Sequence, residues 1–315
     1  MLASVDAVPW NRGRRPAARI MRAFGERPLA SITTADLNRF LAALDADPDV
    51  TPRTVNKHRQ LLCSIFAHAM RDDAFRLPLN PALATDKRRE PEVRPIDFYE
   101  PEEVLALARA TCAGLHRDPS RPAVSDAEAL ERVRADEQDA ALFIVAAFSG
   151  LRLGELLALR WRHVDFTDAK LLVEASWSAG RLTTPKSRKW RAVPLADQPA
   201  SVLDQLSQRP FFTGRDDLVF CSPVGEYLDP SALRRRYSRA QKAAGLRPLR
   251  FHDLRHSFGS LVIREFDPVA VKDFMGHAKI TTTERYLHAR SRRTDAARMT
   301  KAFAGDVEPD IAVVA

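Results

Sequence analysis

Apolar residues in the first part of the chain recur at helical spacing. Residues 16–24 predict a short helix, and Thr33 opens a second one, with Asp36 at its third position. A third helix begins at Pro52, because proline at the first helical position loses no hydrogen bond. The pattern predicts a small all-helical domain over residues 1–86.

Residues 87–97 are rich in proline and charge and predict a linker, followed by a domain over 98–305 and a tail over 306–315. Helices are predicted from Pro101 to Gly114, over 140–148 and 197–208, from Pro230, after Phe251, and over 290–303. Strands are predicted at HVDF, KLLVEA, RAVPL and DDLVFC, with a loop WSAGRLTTPKSRKW before the third. Polar residues 116–138 predict a surface excursion. We therefore expect a mainly α fold with a small antiparallel β-sheet (α+β).

The stretch HDLRHSFGSLV has two distinct faces when it is read as a helix. Leu254, Phe258, Leu261 and Val262 fall on the core side. The other side carries His252, Arg255, His256 and Gly259. We expect this second face to be free for chemistry.

Composition narrows the class of protein. At 315 residues with 45% hydrophobic content, the chain is long enough for two packed domains. A net charge of +8 and a pI near 9.7 favour a polyanionic partner, with an arginine-rich surface as the alternative. Three scattered cysteines argue against a disulfide framework or structural zinc. No apolar run is long enough to cross a bilayer, so we expect a cytoplasmic protein without a membrane partner.

Several side chains from residue 152 onward suit phosphoryl transfer: Arg152, Lys186, His252, Arg255, His277 and Tyr286. Arginine offers a planar fork of donors for phosphate oxygens, and histidine moves protons near neutral pH. Lysine can bind phosphate or donate a proton, and a tyrosine hydroxyl can form a covalent ester. Glu155 can hold Arg152 in place, although a purely structural ion pair is the alternative.

Basic residues also cluster on predicted helix faces and on one loop. The polar face near the start of the third helix carries Arg53, Asn56, Lys57 and Gln60. The candidates for contact with DNA phosphates are Arg53, Lys57, Arg188, Arg234, Arg235 and Arg239. A solvated charged surface is the alternative for each of them.

With these motifs in this order, the chain resembles the tyrosine recombinase or phage-type integrase family over residues 16–305. The motifs that carry the resemblance are TPRTVNKHRQLLCSIFAHA, SGLRLGELLALRW, TPKSRKWRAVPL, HDLRHSF and MGHAKITTTERYLH. The resemblance implies an amino-terminal helical core-binding (SAM-like) domain, here shortened, and a carboxy-terminal catalytic domain. It also implies a site-specific recombinase that integrates or excises a mobile element.

The resemblance implies a role for each candidate. Tyr286 would attack the scissile phosphate and form a 3′-phosphotyrosyl link. Lys186 would protonate the leaving 5′ oxygen, and His252 would assist proton transfer at the tyrosine. The charge on the phosphate oxygens would be stabilised by Arg152, Arg255 and His277.

The family further implies a C-shaped clamp on double-stranded DNA and a homotetramer when assembled on DNA. A monomer is the expected form without DNA, at the nucleoid, with no metal or other cofactor. Whether an accessory DNA-bending or directionality protein takes part is left open.

Three other interpretations compete with this one. A type IB topoisomerase uses a related set of residues, and a recombinase remnant would keep DNA binding without catalysis. His252 and His256 are spaced like a zinc-binding pair, but the glutamate that a metalloprotease would use is absent after the first histidine.

Overall fold

The computed structural model describes residues 16–71, 77–91, 96–184 and 190–289. The chain divides into two compact units, Met1–Arg94 and Pro95–Ala315. This division falls inside the predicted linker, and the domain limits themselves stay predictions. The helix expected over 290–303 and the tail over 306–315 lie outside the described residues.

The described part of the first unit contains three α-helices, α1 (Pro16–Phe24), α2 (Thr34–Asp45) and α3 (Pro52–Ala69). Thr33 caps α2 in a reciprocal capping box with Asp36. Thr51 caps α3 by accepting a hydrogen bond from the Thr54 amide. The helices enclose one apolar core, in which Leu37, Leu41 and Phe66 are almost fully buried. The helical pattern predicted for this region is therefore confirmed.

The second unit contains seven α-helices and five strands among its described residues. The helices are α4 (Pro101–Cys112), α5 (Asp126–Ser149), α6 (Leu153–Leu157), α7 (Asp197–Ser207), α8 (Pro230–Ala243), α9 (Phe251–Val262) and α10 (Pro268–Met275). The strands are β1 (Val164–Asp165), β2 (Lys170–Val173), β3 (Ser176–Ser178), β4 (Arg181–Thr183) and β5 (Arg191–Pro194). Short 3₁₀ helices cover Ile280–Thr282 and Glu284–Ala289.

The strands form two small antiparallel sheets. The first has the order β1-β2-β5, with Leu171 paired to Val193. The second is the β3-β4 hairpin, whose turn residues Ala179 and Gly180 both have positive φ, 52° and 73°. The mainly α fold with a small antiparallel sheet is confirmed.

Helix α5 is the centre of the second core. Its carboxy-terminal half is apolar on every side, and Leu142, Phe143 and Val145 are fully buried. Such a helix must be covered all round by other elements. Helix α9 belongs to the same core, and Phe251 packs edge-on against Phe143. This packing fixes α9, which carries much of the candidate site.

The polar segment 116–138 was only partly predicted correctly. Helix α5 begins at Asp126, because Ser125 caps it by accepting a hydrogen bond from the Glu128 amide. Asp136 and Asp139 are buried there, and they form ion pairs with Arg117 and Arg236, respectively. A polar sequence was mistaken for a loop because its charges are neutralised by distant residues.

Two strand predictions also need correction. The segment predicted as a loop before β5 contains the β3-β4 hairpin. DDLVFC forms no strand of a sheet and makes only isolated bridges, at Leu218 and Cys221. Among the helices of the described ranges, none has both the length and the apolar character needed to cross a membrane.

Candidate active site

The amino terminus of α6 fixes the first arginine of the site. Arg152 is the N-cap residue, and its amide donates to Glu155 Oε2 at 2.8 Å while Nη1 donates to Oε1 at 2.9 Å. The Glu155 side chain is 1% exposed and that of Arg152 is 24% exposed. The carboxylate therefore holds a guanidinium that still reaches solvent.

Arg191, at the start of β5, binds the same carboxylate from another direction. Its Nη1 and Nη2 donate to the two Glu155 oxygens at 3.1 and 2.7 Å, and its Nε donates to the Phe274 carbonyl at 2.9 Å. Burial alone would raise the pKa of Glu155, but the charges and hydrogen bonds of Arg191 and Arg152 lower it below the ordinary value. One buried anion thus organises two cations.

Arg255 on α9 supplies a third cation and is 3% exposed. Its two terminal nitrogens donate to the carbonyls of Gly150 and Met275. Among the described residues, no carboxylate lies within ion-pair distance of it. Burial and then the charge of Arg152 lower the pKa of Arg255 to about 9. The centre therefore carries positive charge that an incoming anion would neutralise.

The turn after α10 brings His277 to this centre. Gly276 has a φ of +63°, and its carbonyl accepts a hydrogen bond from Arg152 Nη2 at 2.9 Å. His277 Nδ1 is 2.8 Å from the Thr283 hydroxyl oxygen. Burial, followed by the charges of Arg255 and Arg152, lowers the pKa of His277 to about 3. At neutral pH the ring is uncharged.

Tyr286 is 1% exposed and lies flat beside α9. A methyl group at Gly259 would come within 2.7 Å of the ring, so glycine makes room for it. The ring is parallel to that of His277, with 6.2 Å between centroids. Burial raises the pKa of Tyr286 to about 12, while the charges of Arg255, Arg285 and Arg152 act to lower it. Both site arginines therefore lie within electrostatic range of the phenol.

The phenol oxygen contacts a histidine that the sequence analysis did not choose. Tyr286 Oη is 2.7 Å from His256 Nδ1. His252 is exposed one turn earlier on α9, with its ring 5.2 Å from that of His256 in an edge-on arrangement. Although the residue is exposed, neighbouring groups partly desolvate its ring, and this desolvation, followed by the charge of Arg255, lowers the pKa of His252.

The face of α9 that was expected to be free is mostly covered. Only His252 of that face is exposed, whereas Arg255 and Gly259 are buried and His256 is partly buried. The Tyr286 segment packs over it. The expectation was wrong because a period of 3.6 residues identifies two faces but not what covers the second.

The structure brings together Arg152, Glu155, Arg255, His277 and Tyr286 in one region, with His252 at its edge. Lys186 and Arg188 lie outside the described residues. Sequence reasoning missed Arg191, Thr283 and His256 as members of the site. The available signal for His256 was its position directly after Arg255, on the helix face expected to be free for chemistry, but the only role considered for it was as half of a metal pair.

A basic groove of about 430 Å³ occurs in the first unit. Arg53 and Lys57 on α3 are exposed there, close to Arg59 and Lys87. Asn56 of the predicted polar face is buried, since its amide nitrogen donates to the Arg88 carbonyl at 2.9 Å. The groove therefore offers cationic side chains, whereas Asn56, which also lines it, is already hydrogen-bonded to the Arg88 carbonyl and to Glu90.

Helix α8 presents three exposed arginines, Arg234, Arg235 and Arg239. Arg236 on the same helix is different, because its guanidinium forms an ion pair with the buried Asp139. Only the first three are available to a partner. Within the described ranges, no group of three or more His, Cys, Asp or Glu side chains could hold a metal ion.

Comparison with known proteins identifies relatives. The model of the phage integrase family matches residues 127–293, more than half of the chain. Tyrosine recombinase XerC of Methylobacterium nodulans is 30% identical over 284 residues, which cover 85% of this chain and 83% of that protein. For tyrosine recombinase XerC of Serratia marcescens, 31% identity extends over 154 residues, and the match spans 48% of each chain.

Solved structures share the fold. A lambda integrase dimer bound to a COC′ core site superposes with a TM-score of 0.62 at 22% identity, covering 88% of this chain and 87% of that one. A lambda integrase tetramer bound to a Holliday junction gives a TM-score of 0.60 at 22% identity and covers 84% of this chain and 70% of that one.

Proposed function

This chain belongs to the phage integrase family of tyrosine-type site-specific DNA recombinases, and from that premise we propose that it cuts and rejoins DNA strands through a 3′-phosphotyrosyl intermediate on Tyr286. The biological task would be integration or excision of a mobile element. The observation that carries the proposal is the cationic centre around Glu155, within electrostatic range of the Tyr286 phenol.

The cations suit the negative charge on the non-bridging oxygens of the reacting phosphate. Arg152 and Arg255 would bind the non-bridging oxygens of the scissile phosphate, with His277 as a further donor. Glu155 and Arg191 keep Arg152 aimed before substrate arrives, so that little reorganisation accompanies the reaction. Because Arg255 is buried without a carboxylate partner among the described residues, a phosphodiester would neutralise a charge that the free protein leaves uncompensated.

The chemistry conserves the phosphodiester bond energy. Tyr286 Oη attacks phosphorus while the bond from phosphorus to the 5′ oxygen breaks, and the phenol proton leaves. In the family's scheme Lys186 gives a proton to the 5′ oxygen, and His252 assists removal of the phenol proton. Religation reverses these steps with a new 5′-hydroxyl, so neither ATP nor a metal is required.

The protein would also bind the DNA backbone at positions other than the reacting phosphate. The exposed cations Arg53 and Lys57 of α3 would bind the DNA backbone, as would Arg234, Arg235 and Arg239 of α8. Arg188 is assigned the same role from sequence. A homotetramer assembled on DNA is part of the proposal, as in the lambda integrase assembly on a Holliday junction. The protein would act in the cytoplasm at the nucleoid.

A nicked suicide substrate tests the proposal. The DNA sequence that the protein recognises can be identified from direct repeats in the surrounding chromosome. It can also be found by selecting covalent adducts from a library of nicked duplexes. Loss of the short 5′-hydroxyl strand then traps the adduct, which a denaturing gel detects. We expect wild type to form the adduct and Tyr286→Phe to form none, because the variant keeps the ring but lacks the nucleophile.

The outcomes separate the competing activities. Wild-type protein that binds the site without forming an adduct would identify a DNA-binding remnant. Relaxation of supercoiled DNA without sequence preference would favour a type IB topoisomerase.

A further inference from the structure

We propose that His256 is the residue that accepts the proton of Tyr286 during strand cleavage, with Asp253 stabilising the charge that His256 then carries. This inference rests on the proposed function and deepens it. It assigns to His256 the proton transfer that the family resemblance gives to His252.

His256 is in contact with the reacting atom. Tyr286 Oη lies 2.7 Å from His256 Nδ1, which is within hydrogen-bond reach. The His252 side chain is exposed and makes no hydrogen bond to any residue in the described part of the chain. A general base must reach the proton that it removes, and in this structure His256 does so.

The hydrogen bond between Tyr286 and His256 has a defined direction. Burial lowers the pKa of His256 to about 4, and burial raises the pKa of Tyr286 to about 12. At neutral pH the imidazole is therefore neutral and the phenol keeps its proton. The phenol has no other hydrogen-bond acceptor among the described residues, so we assign it as the donor to Nδ1. The remaining imidazole proton is then on Nε2.

The Asp253 carboxylate lies on the far side of the His256 ring. His256 Nε2 is 3.9 Å from Asp253 Oδ1, too far for a hydrogen bond but close enough to stabilise an imidazolium. Asp253 is held by Arg250, whose amide and Nη2 donate to it at 2.8 and 2.9 Å. A nucleophile, a base in contact with it and a carboxylate behind the base form the arrangement that activates hydroxyl nucleophiles in general.

The proton balance is simple. The phenol proton moves to His256 Nδ1 as the bond from Oη to phosphorus forms, and the 5′ oxygen leaves with a proton from the opposite side. In religation His256 returns its proton to the phenol oxygen. The basicity of His256 depends on the titratable and charged groups that face it. These are His252, Asp253 and Arg250 from the α9 region, Arg285 from the Tyr286 segment, and His277.

His256→Asn is the informative substitution. An asparagine side chain can still accept a hydrogen bond near the position of Nδ1, but it cannot hold a proton at neutral pH. We expect the single-turnover rate of adduct formation on the nicked duplex to fall by about 10²-fold or more. His288→Asn is the matched control, because that histidine is exposed and its Nδ1 contacts only the Arg285 carbonyl among described residues.

Two further measurements distinguish proton transfer from structural support. With sulfur in place of the bridging 5′ oxygen, the leaving group needs no proton, so a defect on the leaving side is rescued while the His256→Asn defect persists. Between about pH 6 and 9, the rate of the variant should rise more steeply than that of wild type, since it then depends on preformed phenolate. His256→Gln and urea unfolding test whether a loss reflects misfolding.

The outcomes separate this inference from the proposed function. If wild type forms no adduct, both fail. If wild type forms the adduct and His256→Asn stays within about threefold of it, only the role of His256 is wrong. A faster variant would mean that His256 restrains the phenol, which also overturns the inference. A His256→Asn defect that the sulfur substrate rescues would move His256 to the leaving-group side and contradict it as well.

Discussion

The arginines of the candidate active site and those of α8 have opposite surroundings. Arg152 and Arg191 share the buried carboxylate of Glu155, whose side chain is 1% exposed. Arg234, Arg235 and Arg239 extend from α8 into solvent. The same side chain therefore serves two purposes: where it is fixed and desolvated it can stabilise a transition state, and where it is free it can attract a polyanion.

The largest effect should come from removing the shared anion. Glu155→Gln would leave Arg152 and Arg191 close together without their carboxylate, and we expect the free energy of unfolding to fall by about 3–5 kcal/mol. Urea unfolding of the full chain measures this. Asp216→Asn is the control, since its pair with Arg162 is exposed and should contribute at most about 1 kcal/mol. Equal losses in the two variants would contradict the central role of Glu155.

A somewhat smaller effect should appear in the rate of strand cleavage when Arg255 is changed. In Arg255→Lys a single ammonium cannot hold the Gly150 and Met275 carbonyls and also offer a fork to phosphate. We expect adduct formation to slow by about 10²–10³-fold, or about 2.7–4 kcal/mol.

The control for Arg255 is Arg247→Lys, because Arg247 pairs with Asp97 and Glu103 and has no assigned role in the reaction. Its single-turnover rate should stay near wild type. Comparable slowing in both variants would mean that the loss reflects general weakening of the fold.

The smallest effects should come from the exposed arginines of α8. Replacing Arg234, Arg235 or Arg239 with alanine should each reduce the slope of log affinity against log salt by about 1 and leave unfolding almost unchanged. Arg236→Ala sharpens the contrast, because it removes the partner of buried Asp139 and should reduce stability instead. Titration of labelled DNA at several salt concentrations measures the slopes, and an unchanged slope in all three variants would exclude α8 from the DNA interface.

Errors of sequence interpretation in this chain have a common cause. The start of α5 was missed because Asp136 and Asp139 look like loop residues until Arg117 and Arg236 are brought to them. Asn56 was expected at the surface, but it is buried, and its side-chain amide donates a hydrogen bond to the Arg88 carbonyl, 32 residues away. In each case the partner residue is distant in the sequence, so the local pattern of residues does not indicate it.

Sequence alone determined the chemistry available to this protein and most of its helices. Capping at Thr33 and Thr51 and the spacing of apolar side chains are local properties, so they can be recognised without a fold. The arginines, histidines and tyrosine that suit phosphoryl transfer can likewise be recognised from residue types alone.

Only the tertiary structure decided which of these side chains meet. Arg191 reaches Glu155 across 36 residues, and Arg152 reaches the Gly276 carbonyl across 124. The choice between His252 and His256 as neighbour of Tyr286 depends on how the last segment packs over α9. Contacts between distant residues follow from burial of the shared core around α5 and α9, and no local pattern of residues encodes them.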